Sequence, residues 1–122
     1  MRFSLIWNST VLILCTAVFF CAKADPAIDK LLAEGKFREA IDYADEKYPT
    51  AQRDANLWVQ IARANEGLGV PEKALACYLV AWRMDDKNYK ALFGAAKVYN
   101  TLNQPENALS MAKKALDLNF TA

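Results

Sequence analysis

The sequence predicts an all-α fold, built as a short array of helical hairpins. Three observations support this prediction. A pattern of residues recurs every 34 positions, apolar residues inside each repeat follow helical spacing, and the composition after residue 25 favours helices. Only four Gly and four Pro occur among 122 residues, and Ala, Leu, Lys, Glu and Asp dominate beyond the first 25. A chain of this length has room for one domain.

The first 24 residues differ in composition from the rest and predict a targeting segment. Arg2 provides a positive start, and the apolar stretch covers residues 11–21, with Thr16 as its only polar member. As a helix this stretch would span about 16 Å, roughly half of a bilayer core of about 30 Å. Ala22 and Ala24 stand at the −3 and −1 places of a cleavage site. We therefore expect residues 1–24 to be a cleaved signal and the chain to be exported, to a periplasm or outside the cell.

Two alternatives for this segment stay open. The run of residues 3–22 could serve as an uncleaved membrane anchor if the polar residues 8–10 were tolerated inside it. Alternatively, Cys21 could carry a lipid, although bulky Phe20 before it fits such a signal poorly.

The repeat is clearest around two prolines. Residues 69–75 reappear as residues 103–109, a shift of 34, and residues 35–41 give a third copy without the proline. Three registers without an insertion predict a shortened first unit at 25–54, a second at 55–88 and a third at 89–122. Further columns agree in residue type: Trp58 with Leu92, Ala62 with Ala96, and Ala81 with Ala115.

The first unit is expected to start where the signal ends. Asp25 can cap its first helix, with Pro26 in the first helical turn, where a missing N–H costs nothing. Tyr48 and Pro49 are expected to close its second helix.

The second and third units each predict two helices with a break between them. In the second unit, Gly67 and Gly69 break the first helix and Pro71 begins the next one. In the third unit, Pro105 takes the place of Pro71. Apolar residues at three- and four-residue spacing mark the helix faces. These residues are Leu57, Trp58, Ile61, Ala62 and Leu68, then Ala74, Leu75, Tyr78, Leu79 and Trp82, then Leu92, Ala95, Ala96, Tyr99 and Leu102, then Ala108, Leu109, Ala112, Ala115 and Leu116.

At these positions the sequence resembles the tetratricopeptide repeat family. The second unit matches the family pattern at Trp58, Ile61, Ala62, Gly69, Ala74, Tyr78 and Ala81, and the third at Leu92, Ala95, Ala96, Asn103, Ala108, Ala112 and Ala115. Asn65 replaces an aromatic residue, and the family proline near the end of a unit is absent, with Asp86 and Phe120 in its place. The resemblance implies a right-handed superhelical stack of about three helix-turn-helix hairpins with a concave groove.

The same resemblance implies which side chains face that groove. Eight positions on the first helices of units two and three are Asn56, Val59, Arg63, Glu66, Lys90, Phe93, Lys97 and Asn100, and unit one adds Asp25, Asp29 and Leu32. We expect them to bind a peptide or a helix of a partner protein, so that the chain acts as an exported interaction scaffold. A module of a cell-envelope complex that associates with itself is the second hypothesis, and a carbohydrate or wall-polymer binder is the third.

Self-association is suggested by the C-terminal helix. Repeat arrays usually end in a polar capping helix, but this sequence stops at a repeat boundary with apolar residues on its last helix. We expect a second copy, a partner or further repeats to cover this surface. Its members are Leu109, Leu116, Leu118 and Phe120.

Catalytic and metal chemistry are not predicted. Histidine is absent, which removes the commonest general base and most kinds of zinc site. The net charge of +1 becomes −1 without Arg2 and Lys23, since 13 basic and 14 acidic residues remain. No clustered basic face indicates nucleic acid. We expect no enzyme, no cofactor and no metal, and a membrane contact only through an uncleaved N-terminal segment.

Overall fold

Six α-helices make up most of the computed structural model, which describes residues 24–121. Residues 24–121 contain no strand, and a 3₁₀ turn at Thr50–Gln52 separates the first two units. The helices are α1 Pro26–Ala33, α2 Phe37–Lys47, α3 Ala55–Gly67, α4 Pro71–Met84, α5 Tyr89–Thr101 and α6 Pro105–Thr121. They pair as three hairpins, so the predicted all-α array of tetratricopeptide-like units is confirmed.

The first helix of each unit begins with a side-chain cap. The Asp25 carboxylate accepts from the N–H of Ala27 at 2.9 Å, as expected from the sequence. Asp54 caps α3 and Asn88 caps α5 in the same way, at 2.8 and 3.2 Å. Asp54 and Asn88 lie 34 residues apart, so the repeat extends to the capping residues.

The turn inside each hairpin also recurs at the repeat spacing. Gly35, Gly69 and Asn103 have positive φ angles of 74°, 77° and 58°. This conformation lets the N–H groups that follow each helix bond to its last carbonyls, in a Schellman motif. The bonds that define it are Lys36 to Leu31, Val70 to Asn65 and Gln104 to Tyr99, from N–H to carbonyl. The predicted break at Gly67 and Gly69 is confirmed, because α3 ends at Gly67 and the chain turns at Gly69.

Two apolar cores hold the three hairpins together, and α3 contributes to both. The first core, between units one and two, contains Ile28, Leu32, Ala40, Ala44, Leu57, Ile61 and Ala64. The second core, between units two and three, contains Ala55, Val59, Ala62, Ala74, Tyr78, Ala81, Ala91, Ala95 and Val98. Many of these residues are alanines without exposed surface, which allows the helices to cross closely.

Side-chain hydrogen bonds between neighbouring units reinforce the stack. The amide of Gln60 accepts from the N–H of Asp25 and donates to the carbonyl of the same residue, both at 2.9 Å. Gln60 also donates to the Asp29 carboxylate at 2.8 Å. Between units two and three, the Asn88 amide donates to the Asn56 oxygen at 3.0 Å. The start of each unit is thereby bonded to the unit beside it.

The expected signal, anchor and lipid sites fall on residues 1–23, outside the described part of the chain. Within residues 24–121, no helix has both the length and the apolar character that crossing a membrane requires.

Candidate functional site

An open groove of about 890 Å³ runs along the first helices of the units. It draws side chains from five helices, so its shape depends on how the hairpins stack. The lining residues are Leu32 of α1, Phe37 of α2, Val59, Arg63, Glu66 and Gly67 of α3, Tyr78 of α4, and Tyr89, Lys90, Phe93, Gly94 and Lys97 of α5.

Two glycines allow aromatic rings to form part of the groove floor. A Cβ atom on Gly94 would overlap the ring of Tyr78, and one on Gly67 would overlap the ring of Phe37. The rings from the second helices therefore lie directly against the backbone of the first helices. These contacts explain why glycine occurs inside α5 and at the end of α3, where helix propensity disfavours it.

A hydrogen-bonded group of three side chains occupies one part of this floor. The hydroxyl of Tyr78 donates to the Glu66 carboxylate, and the ammonium of Lys97 lies 3.2 Å from the other Glu66 oxygen. Burial and the bond to Glu66 raise the pKa of the Tyr78 hydroxyl. The hydroxyl is therefore protonated at neutral pH and acts as a hydrogen-bond donor. The negative charge of Glu66 is therefore balanced inside the groove.

Two aromatic side chains of α5 remain largely uncovered at the groove. Tyr89 and Phe93 are each 47% exposed, and their rings meet edge to face with centroids 6.3 Å apart. Exposed aromatic pairs next to a groove offer apolar area that a bound partner can cover.

The remaining cations of the groove are weakly paired. The Arg63 guanidinium lies 4.0 Å from the Asp29 carboxylate, and both side chains are 58% exposed. Lys90 is exposed and forms no ion pair with any residue in the described part of the chain. A ligand can therefore approach Lys90 without displacing a carboxylate.

Six of the eight positions expected on α3 and α5 line this groove. Asn56 is instead bonded to Asn88, and Asn100 is exposed outside the lining. The six are Val59, Arg63, Glu66, Lys90, Phe93 and Lys97.

The three positions from unit one differ in what they do. Leu32 lines the groove, and Asp29 lies at its edge beside Arg63. Asp25 is 7% exposed, because its side chain is enclosed by donors from α1, from α2 and from Tyr48, which follows α2. It supports the fold and does not face the groove.

Sequence reasoning missed the aromatic and glycine members of the lining. Phe37, Tyr78 and Tyr89 were not expected to face the groove, because the family pattern places only some first-helix positions there. Gly94 could have indicated the contact with Tyr78, because an isolated glycine within a helical pattern often marks a close approach of another group.

The C-terminal surface predicted from the sequence is partly described. Leu109 and Leu116 are 57% and 47% exposed, and Leu118 is half-buried. The side chain of Phe120 lies outside the described residues. Met111, on the same helix, packs against the second core.

Two observations on residues 24–121 concern a possible nucleophile and a possible metal site. Burial raises the pKa of the Cys77 thiol, which packs against both cores. A thiol with a raised pKa is a poor nucleophile at neutral pH. Across residues 24–121 no three side chains of the usual ligand types gather where they could hold a metal ion.

The stacked hairpins, their recurring turns and the concave groove define a tetratricopeptide-like repeat fold. No protein-family model and no curated protein matches the sequence. Among solved structures, the chain is similar to PcrH, which was crystallised in complex with the chaperone binding region of PopB. The two chains are 20% identical, the match covers 84% of this chain and 89% of PcrH, and the TM-score is 0.66. At this identity the similarity establishes the shared fold.

Proposed function

We propose that this chain is a protein-interaction module that holds a peptide segment or a helix of a partner protein in its concave groove. The observation that carries the proposal is the exposure of Phe93 and Tyr89, which present apolar area to the groove although a well-packed core lies beside them. The structure of PcrH with a bound region of PopB supports it, because a chain of the same fold holds a segment of another protein.

Binding fits the groove better than catalysis does. The sequence has no histidine, and Glu66 is engaged by Tyr78 and Lys97. A general base needs a free acceptor within reach of a substrate proton, and here the carboxylate already accepts from Tyr78 and forms an ion pair with Lys97. These bonds suit a fixed recognition surface.

Export of this module belongs to the proposal as well. It depends on the charge, apolar stretch and small residues of the first 24 positions of the sequence. A partner in the periplasm or outside the cell would follow from it.

A peptide selection tests the groove directly. A random peptide library is selected on the full chain, and the affinity of the recovered peptides is measured by fluorescence anisotropy. Phe93→Ala should weaken binding roughly tenfold or more, because covering a phenylalanine is worth about 1.5–3 kcal/mol.

Leu109→Ala is the matched control, since Leu109 is also apolar and is more exposed, but it lies on α6, none of whose described side chains lines the groove. It should leave the affinity unchanged, and circular dichroism should show that both variants fold. Equal affinities for the wild type and Phe93→Ala would contradict the proposal.

Self-association is a second candidate function, favoured by the exposure of Leu109 and Leu116 on α6. These two residues lie seven positions apart, so they share one face of the helix. This surface is separate from the groove, so both functions can exist in one molecule.

A further inference from the structure

We propose that the groove selects segments in which a large apolar side chain is flanked by acidic residues. This inference rests on the proposed function and adds the chemical class of the bound segment. It is carried by the distribution of charge around the exposed aromatic pair.

The charges that line the groove are predominantly positive. Three cations, Arg63, Lys90 and Lys97, line the groove with one carboxylate, that of Glu66, and a second carboxylate, that of Asp29, lies at the groove edge. Because Glu66 is bonded to Tyr78 and lies 3.2 Å from Lys97, its charge is already balanced. A bound segment therefore encounters the positive charges of Lys90 and Arg63.

Lys90 lies beside the apolar anchor on the same face of α5. It precedes Phe93 by three residues, a spacing that brings side chains on a helix together. An apolar side chain that covers Phe93 consequently places its neighbour in the segment near the Lys90 ammonium. A carboxylate there would pair with the Lys90 ammonium, which forms no ion pair with any residue between 24 and 121, whereas a cation there would be repelled.

Arg63 offers a similar site on the opposite helix. Its contact with Asp29 is 4.0 Å long and involves two largely exposed side chains, a kind of pair that contributes little to stability. A carboxylate from the bound segment can therefore replace Asp29 or join it, and its bonds to the guanidinium can be bidentate. An acidic residue on each side of the anchor then has a cation within the groove.

Two other occupants fit this surface less well. Nucleic acid needs a continuous basic stripe, but here three cations are interspersed with a carboxylate and apolar side chains. The leading segment of the same chain, residues 1–23, contains Arg2 and Lys23 and no acidic residue, so its charge is positive like that of the groove and disfavours binding there. An acidic and apolar segment of a partner protein is the occupant that matches both properties.

Three synthetic peptides test the inference on the full chain. They share a central leucine and differ only at the flanking residues, which are glutamate, glutamine or lysine. Fluorescence anisotropy should show roughly tenfold tighter binding of the glutamate peptide than of the lysine peptide, with the glutamine peptide between them. High salt should reduce these differences, since the groove cations are exposed.

The variant Lys90→Glu should weaken binding of the glutamate peptide about tenfold and improve binding of the lysine peptide. Lys113→Glu is the matched control, because it makes the same change of charge on α6, outside the groove. It should leave all three affinities unchanged. Phe93→Ala should weaken the binding of all three peptides by the same factor.

The outcomes separate this inference from the proposed function. If the three peptides bind equally and all depend on Phe93, charge selection fails while the groove remains a binding site. If none of them binds but library peptides still depend on Phe93, only the inference is overturned. A random oligonucleotide that binds more tightly than any of the peptides, and loses affinity in Lys90→Glu, would overturn it in favour of a polyanion.

Discussion

Asp25 illustrates how a residue predicted for the groove can instead stabilise the fold. Its carboxylate accepts from the N–H of Ala27, from the hydroxyls of Tyr43 and Tyr48, and from the ammonium of Lys47. Burial alone would raise the pKa of this carboxyl, but the bonds from Tyr48, Ala27 and Lys47 outweigh burial and lower it. The ionised form is therefore favoured in the folded state.

This pKa shift predicts a pH dependence for the variant Asp25→Asn. Because the folded-state pKa lies below the unfolded one, the charge stabilises the fold above the unfolded pKa of about 3.9, and this contribution disappears as the pH falls through the folded pKa. At pH 7 the substitution should lower the free energy of unfolding by roughly 1–2 kcal/mol. The difference from the wild type should vanish in strong acid, where both side chains are neutral.

Urea unfolding at a series of pH values measures this effect. Asp42→Asn is the control, since Asp42 is an exposed carboxylate on the neighbouring helix α2. It should change stability little at any pH. A difference for Asp25→Asn that stays constant from neutral pH to strong acid would show that shape, and not charge, accounts for it.

At the level of single elements, the sequence predicted the helices but not every contact between them. Apolar spacing and proline positions identified the helices because those signals are local. The contact of Tyr78 with Gly94 was not predictable, since it joins two helices whose relative placement is set by packing. Asn65, which replaces an aromatic residue of the family pattern, is buried and donates to the carbonyl of Ile61 within its own helix.

In the third unit the 34-residue shift aligns Ala96 with Ala62, but the fully buried alanine is the residue before it. Ala95 is fully buried, whereas Ala96 is only partly so. Repeat matching assigns a residue to a column, but the rotation of a helix about its axis depends on the side chains it meets. Phe93 and Lys97 could be placed in the groove from the family pattern, while the pairing of Lys97 with Glu66 needed the three-dimensional arrangement.

The substitution Gly94→Ala tests the glycine contact in α5. Alanine improves helix propensity by about 1 kcal/mol, but its methyl group would overlap the buried ring of Tyr78, and overpacking costs about 1–3 kcal/mol. We expect a lower free energy of unfolding, a lower thermal midpoint and a displaced Tyr78 ring that narrows the groove.

Asn100→Ala is the control for this experiment, because Asn100 is exposed on the same helix. It should gain helix propensity alone and raise the thermal midpoint in calorimetry. If Gly94→Ala raised the midpoint as much as Asn100→Ala does, the ring contact would not require glycine.

At the level of the whole molecule, the exposed leucines of α6 predict self-association. Covering a leucine contributes about 1.5–3 kcal/mol, and Leu109 and Leu116 together form an apolar strip on one helix face. Sedimentation at micromolar concentration should show a species larger than the monomer. Leu116→Lys should shift the distribution to monomer without loss of helix.

Ser110→Lys is the matched control, since it adds the same charge at an exposed polar position of α6. It should leave the association constant nearly unchanged. A wild-type chain that sediments as a monomer, and is no more soluble after Leu116→Lys, would contradict self-association.

The side-chain bonds between the units have a consequence for how the chain folds. The bonds from Gln60 reach back 31 and 35 residues to Asp29 and Asp25, and the bond from Asn88 to Asn56 spans 32. Each therefore closes a segment of about one repeat, so the entropy lost on closure is modest. In repeat arrays each unit contacts only its neighbours, so folding can begin at one hairpin and propagate to the next. During synthesis, the first hairpin can acquire its neighbour's contacts as soon as α3 becomes available, without waiting for the end of the chain.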